Sequence, residues 1–261
     1  MSDSIDLQAY FNRIGYTGTP RPDLETLRAL QFHHVTTVPF ENLDVQMGRR
    51  VRLDLPHLED KMVSQRRGGY CFEQNTLFQQ VLKQIGFEVE PFEAQVRVAR
   101  RNGPRTHMLL HVPLDGRHYI ADVGFGNSAP LEPLLLSGVV QKQFGQRYRI
   151  VRSGRERVLQ LWHKHNWLDL YAFVPDPRLP ADFEMGNWYT STHEDSGFVQ
   201  ALVVQLLTPE ERYVLRNLTY QVWRGEGVAE ERVIEKTELI PLLRERFGLE
   251  VPPDATFRAL G

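Results

Sequence analysis

Cysteine is nearly missing: the chain holds one in 261 residues. A single thiol excludes an intrachain disulfide and suits a reducing compartment. No apolar run approaches the roughly 20 residues that a membrane-spanning helix needs. The opening Met1-Ser2-Asp3-Ser4-Ile5-Asp6 is polar and acidic, unlike a secretory signal. Neither sign of charge dominates: 31 Lys and Arg stand against 33 Asp and Glu, a formal net charge of −2. That withholds the basic footprint of a nucleic-acid binder. The expectation is a cytoplasmic protein with neither nucleic acid nor membrane as partner. Its oligomeric state is left open. There is no internal repeat, low-complexity tract or long run of like charge. What is present is ordinary globular material, 41% apolar and 25% charged, enough for one large domain or two to three small ones.

The period of the apolar pattern changes along the chain, and predicts an α+β protein in three regions. Residues 1–86 read as helical. Leu7, Tyr10, Phe11 and Ile14 recur at helical spacing before a stop at Gly15. Asp23 is placed to cap a helix carrying Leu24, Leu27 and Leu30. Pro39 breaks the pattern, so Val38–Asp44 is expected to be extended or looped. A third helix starts near Pro56. A fourth runs from about Cys71 to Ile85 and stops at Gly86. From Phe87 to about residue 178 the period falls towards two, with candidate strands at 87–98, 106–112, 117–123, 146–152, 157–163 and 167–174. Residues 179–261 mix a helix near 181–190, strands near 199–206, 218–224 and 228–234, and a last helix over 237–247.

The single thiol sits in Arg66-Arg67-Gly68-Gly69-Tyr70-Cys71-Phe72-Glu73-Gln74-Asn75. A lone cysteine is ordinarily a small buried hydrophobe. Here two glycines precede it, expected to give backbone angles that let a sharp turn feed the helix. At the helix N-terminus, free N–H groups and a partial positive charge stabilise a thiolate. The same groups suit an oxyanion on an attacked carbonyl.

A thiol nucleophile needs a base and a group to orient it. His107 in Thr106-His107-Met108 and Asp122 in Asp122-Val123-Gly124-Phe125-Gly126 are candidates. Asp115-Gly116 between them signals a two-residue type I′ turn. That turn pairs Leu114 with Arg117, sets Leu109 opposite Asp122, and puts His107 diagonal to Asp122 on the same face. A change of one residue in the loop would separate them. Spacing alone does not choose among His107, His111 and His118, all of which lie in this hairpin.

The stretch 67–75 closely resembles the nucleophile motif of the arylamine N-acetyltransferases. Val38-Pro39-Phe40-Glu41-Asn42-Leu43 resembles that family's N-terminal signature, and the segments around His107 and Asp122 resemble its histidine and aspartate motifs. The four occur in the family's order, across residues 38–126. The resemblance implies a helical bundle, a β-barrel and an α/β lid around a papain- or transglutaminase-like core. It implies a Cys71-His107-Asp122 triad, acetyl-CoA as donor substrate, no metal, and ping-pong transfer to an arylamine or arylhydrazine. It further implies Phe40, Val96 and Phe125 as acceptor pocket, with Thr106 and Gly126 beside the pantetheine end of CoA. Beyond residue 126 it rests on general pattern, with Gly186-Asn187-Trp188 the best late feature.

Other signals are weaker. Gly124-Phe125-Gly126-Asn127-Ser128-Ala129 mimics a dinucleotide-binding loop, but Pro130 and Pro133 deny it a following helix. His163-Lys164-His165 lacks a third metal ligand. His33-His34 reads as capping or packing, and His193-Glu194 lacks the second histidine of a zinc-protease motif. Two rival readings remain beside the transferase: a transglutaminase-like or cysteine hydrolase acting on amides with the same triad, and a non-catalytic binding module with an inert cysteine.

Overall fold

The computed structural model describes residues 4–98 and 103–261; Met1, Ser2 and Asp3 of the acidic opening lie outside the described residues. Helix α1 (Leu7–Ile14) is capped by the Asp6 carboxylate and ends at Gly15, whose φ is 73°. Helix α2 (Leu24–Thr37) is capped by Asp23. Strand β1 (Phe40–Glu41) and the single turn α3 (Leu43–Gln46) follow. The expected loop over 38–44 is therefore half strand and half helix, because Glu41 accepts from the backbone N–H of Leu43 and takes the place of a cap. Helix α4 (Leu55–Glu59) begins at Asp54 with Pro56 in its first turn, then widens into a π-helical turn over Asp60–Ser64. Helix α5 (Cys71–Ile85) ends at Gly86, φ 108°.

The middle of the chain is β2 (Glu90–Val96), β3 (Arg105–Leu114), β4 (Arg117–Ala121), β5 (Leu134–Leu135), β6 (Gln141–Gln143), β7 (Gln146–Ser153), β8 (Glu156–His163) and β9 (Asn166–Phe173). They form one antiparallel sheet in the order β5-β4-β3-β2-β9-β8-β7-β6, curled into a nearly closed barrel. Side-chain amides span its seam. Gln141 exchanges two hydrogen bonds with the Leu135 backbone (2.7 and 3.0 Å), and Gln143 two with Glu132 (2.9 and 3.1 Å). Each amide imitates a peptide group, so two edges are satisfied without a backbone ladder. Lys164-His165, between the strands expected at 157–163 and 167–174, is the β8–β9 turn, with φ of 46° and 65°.

The last region holds α6 (Pro180–Thr192), α7 (Gly197–Gln200), β10 (Val203–Leu207), β11 (Glu211–Arg216), β12 (Thr219–Arg224), β13 (Gly227–Val233) and α8 (Lys236–Phe247). The strand expected at 199–206 starts at Val203, its first residues being spent on α7. Strand β11 was not expected. The second sheet runs β1-β10-β11-β12-β13, so two residues from the first region edge a sheet made by the last. No helix among the described residues is long and apolar enough to cross a membrane.

Strand β3 explains how the layers meet. Met108, Leu110 and Val112 pack in the cluster that contains α5, while Leu109 joins the barrel interior with Phe92, Ile120 and Tyr171. Both faces are buried, so the strand reads as a continuous apolar run. His107 lies on the Leu109 face.

Beneath α5 is a buried charge network. Arg67 bonds Glu41 at 2.8 and 3.0 Å and Asp44 at 3.3 Å; Lys61 bonds Asp44 at 2.6 Å and Glu73 at 2.7 Å. All five residues are buried. Glu73 also accepts from the backbone N–H of Tyr70 at 3.1 Å, so the network ends on the residue preceding Cys71. Lys61→Met is expected to cost about 3–5 kcal/mol in urea unfolding, because it leaves the buried Glu73 without a cation and Asp44 to its arginine partners alone. A loss below about 1 kcal/mol would show that the network does not hold this helix.

Candidate active site

Gly68 and Gly69 deliver the thiol, for a reason other than the expected one. Neither has a positive φ; the left-handed residue in this turn is Arg66, φ 55°. What they supply is space. A Cβ on Gly68 would lie 2.0 Å from the Pro39 carbonyl oxygen, and one on Gly69 would lie 2.9 Å from the Glu73 carboxylate. The turn is thereby pressed against β1, where the Glu41 N–H donates to the Gly69 carbonyl at 3.0 Å. Cys71 is the first residue of α5 and is 3% exposed. The helical ladder opens at Gln74 N–H to Tyr70 carbonyl, 3.0 Å, which leaves the N–H groups of Cys71 and Phe72 outside it.

The β3–β4 hairpin closes through Asp115-Gly116 with φ of 50° and 69°, the expected type I′ turn. Its register pairs Leu114 with Arg117 and Leu110 with Ala121. One step past the strand end, His107 Nε2 meets Asp122 Oδ2 at 2.7 Å. The other ring nitrogen is left for Cys71, with which the imidazole interacts; the Cys71 sulfur lies 3.5 Å from the Thr106 carbonyl oxygen. His111 and His118 are engaged elsewhere. They bond each other at 2.9 Å, and His111 bonds Glu90 at 2.8 Å.

Asp122 is 1% exposed. Besides His107, it accepts from Asn75 Nδ2 at 3.0 Å and from the Gly124 N–H at 2.9 Å. Asn75 also donates to the Met108 carbonyl at 2.8 Å and accepts from the Val123 N–H at 3.1 Å. This role was missed in the sequence, although Asn75 is four residues after Cys71 and so shares its helix face. The rings of Tyr171 and Phe125 pack on His107, centroids 4.9 and 5.0 Å away. Burial works against an imidazolium here, yet the Asp122 carboxylate and the Cys71 sulfur outweigh it and hold His107 up at about 10.

Cys71 and His107 open on a cavity of about 370 Å³. Phe40, Val96, Phe125 and Thr106 line it, as do Phe198, Val203, Gln205 and Arg216 from the last region. Gly126 does not. It has φ 74°, and a Cβ there would meet Gln205 Oε1 at 2.2 Å; its place is behind the wall. The glycine-rich stretch 124–129 forms one 3-10 turn, Gly126–Ser128.

A thiol at a helix start, an imidazole and a buried carboxylate in this order are groups that together can activate a thiol for attack. A family model described as N-acetyltransferase matches residues 23–256. The arylamine N-acetyltransferase of Mycolicibacterium smegmatis is 38% identical over 257 residues, covering 95% of this chain and 93% of that protein. That of Escherichia coli K12 is 36% identical over 250 residues, covering 94% and 89%. Among solved structures, an N-arylamine acetyltransferase variant from Mycobacterium smegmatis superposes with a TM-score of 0.91 at 36% identity, covering 98% of this chain and 99% of its own. The Mycobacterium marinum enzyme in complex with CoA gives 0.88 at 35% identity, covering 94% and 93%. The chain belongs to the arylamine N-acetyltransferase family. The family is one of acyltransferases, so the hydrolase and binding-module readings give way.

Two outcomes follow from the geometry. A Cβ on Gly124 would lie 2.6 Å from the Cys71 Cα and 2.8 Å from Asn75 Nδ2. Gly124→Ala is therefore expected to push the start of α5 off the hairpin, lowering stability by about 1–3 kcal/mol and acetyl transfer more than tenfold; full activity would contradict the close fit. Second, His107 stands at about 10 against an ordinary 6.5. Its contribution to stability is fully present below the lower value and is lost as pH rises through the higher one. The unfolding free energy should fall from pH 7 to 10 in the wild type, and less steeply in Asp122→Asn. Parallel profiles would exclude this ion pair.

Proposed function

We propose that the protein moves an acetyl group from acetyl-CoA to the nitrogen of an arylamine or arylhydrazine, in ping-pong fashion, through a thioester on Cys71. The observation that carries this is the buried Cys71-His107-Asp122 row opening on a cavity walled by Phe40, Val96 and Phe125. In the first half-reaction the Cys71 sulfur attacks the acetyl carbonyl carbon. The bond to the CoA sulfur breaks, and the His107 imidazolium gives its proton to that leaving thiolate. The N–H groups of Cys71 and Phe72, which lie outside the helical ladder, are free to donate to the oxyanion. In the second half the amine nitrogen attacks the thioester, neutral His107 takes the amine proton, and the Cys71 sulfur leaves. Asp122 holds the ring in position and stabilises its charged form.

Thioester-to-thioester exchange costs little free energy, and the enzyme thioester stays reactive toward an amine. The aromatic wall suits an aryl acceptor. Thr106, whose carbonyl faces the sulfur, borders the path for the pantetheine arm. A single unpaired thiol favours a cytoplasmic setting.

Steady-state kinetics with acetyl-CoA and an arylamine varied together test the order of steps. Parallel double-reciprocal lines are expected, with turnover abolished in Cys71→Ser and reduced at least a hundredfold in Asp122→Asn. Intersecting lines, or near-normal turnover in Cys71→Ser, would sink the covalent route.

A further inference from the structure

We propose that Arg216 is the receptor, inside the Cys71 cavity, for an anionic group carried by a substrate, and that it decides which substrates the enzyme prefers. The proposal deepens the acyl-transfer reading and rests on it. Arg216 is the last residue of β11 and lines the same cavity as Cys71 and Phe125. Sheet register points the same way. Arg216 pairs across the ladder with Val203, directly opposite residues share a face, and Val203 is itself a cavity residue.

Its charge has no local answer. Among the described residues the lining contains no Asp or Glu, and the only other ionisable groups there are Cys71 and His107; these interact with each other, with Asp122 completing the row. Among the described residues Arg216 makes no ion pair. An exposed arginine at a strand end is ordinarily just solvated surface. This one differs because, among the described residues, it is the cavity's one unneutralised cation, in a wall that also carries the rings of Phe40, Phe125 and Phe198. A guanidinium presents a fixed fork of donors that matches a carboxylate or phosphate with two hydrogen bonds. An apolar wall fits an aryl ring but discriminates rings weakly; a single unpaired charge discriminates strongly.

The anion has two possible carriers: a phosphate of the CoA donor, or a carboxylate on the ring of the acceptor. Paired substrates that differ only in charge separate them. Wild type and Arg216→Gln would be compared with acetyl-CoA and either para-aminobenzoate or neutral para-aminobenzamide. They would also be compared with acetyl-CoA or phosphate-free S-acetylpantetheine, using the neutral amine. A fall in kcat/KM of about tenfold is expected for the charged member of a pair, the size of one charge-assisted hydrogen bond, with the uncharged member unchanged. Selective loss with para-aminobenzoate assigns the acceptor's carboxylate; selective loss with acetyl-CoA assigns the donor's phosphate. Arg216→Glu should deepen whichever loss is seen. No loss in either pair, or a loss shared equally by charged and uncharged members, overturns the proposal. Wild-type turnover of acetyl-CoA with the neutral amine tests the acyl-transfer reading by itself; were it absent, this inference would fall with that reading.

Discussion

Everything near the thiol depends on how one buried carboxylate is held. Asp122 has three donors from three places: the His107 ring, the Asn75 side chain and the Gly124 backbone. An ionised carboxylate this deep is tolerable only when its oxygens are satisfied. Asn75 makes the arrangement more than local. Its amide reaches from the helix that carries Cys71 to three groups of the hairpin that carries His107 and Asp122. Hydrogen bonds to a charged acceptor are worth about 1.5–3 kcal/mol each. Here they also fix the distance between two separately folded elements. Gly124 completes the fit by omitting the atom that would keep them apart.

The same helix is anchored from below by Lys61 and Glu73, and through them by Asp44, Arg67 and Glu41. Such networks are weak evidence for stability as such. Their effect here is positional: the last bond in the series falls on the N–H of Tyr70, one residue before Cys71. The cavity in front of the thiol is then assembled from all three regions. Phe40 comes from the first, Val96 and Phe125 from the second, and Phe198, Val203 and Arg216 from the third.

Local signals were legible wherever the determining atoms lie within a few residues. Asp23 caps its helix, Gly15 and Gly86 end theirs, and Asp115-Gly116 sets a hairpin register from which the His107–Asp122 contact follows. The illegible features depend on partners far along the chain. Glu41 and Arg67 are 26 residues apart, and nothing local distinguishes them from surface charges. The seam glutamines look like solvated side chains until the barrel curls. Gly68 and Gly69 were recognised as necessary but for flexibility, because the close approach of Pro39 and Glu73 is a tertiary fact. Strand β11 was missed because Glu211-Arg212-Tyr213-Val214-Leu215-Arg216 does not alternate cleanly. Asn217, φ 52°, was the available turn signal after it. With that strand went Arg216, among the described residues the one in the cavity whose charge is unmatched.

The central claim is that Cys71 carries the acetyl group. The most direct measurement is the mass of the peptide containing Cys71 after the intact protein meets acetyl-CoA without acceptor. The account predicts a gain of one acetyl group on that peptide, lost again when an arylamine is added. An unmodified Cys71 in protein that nevertheless acetylates the amine would contradict it.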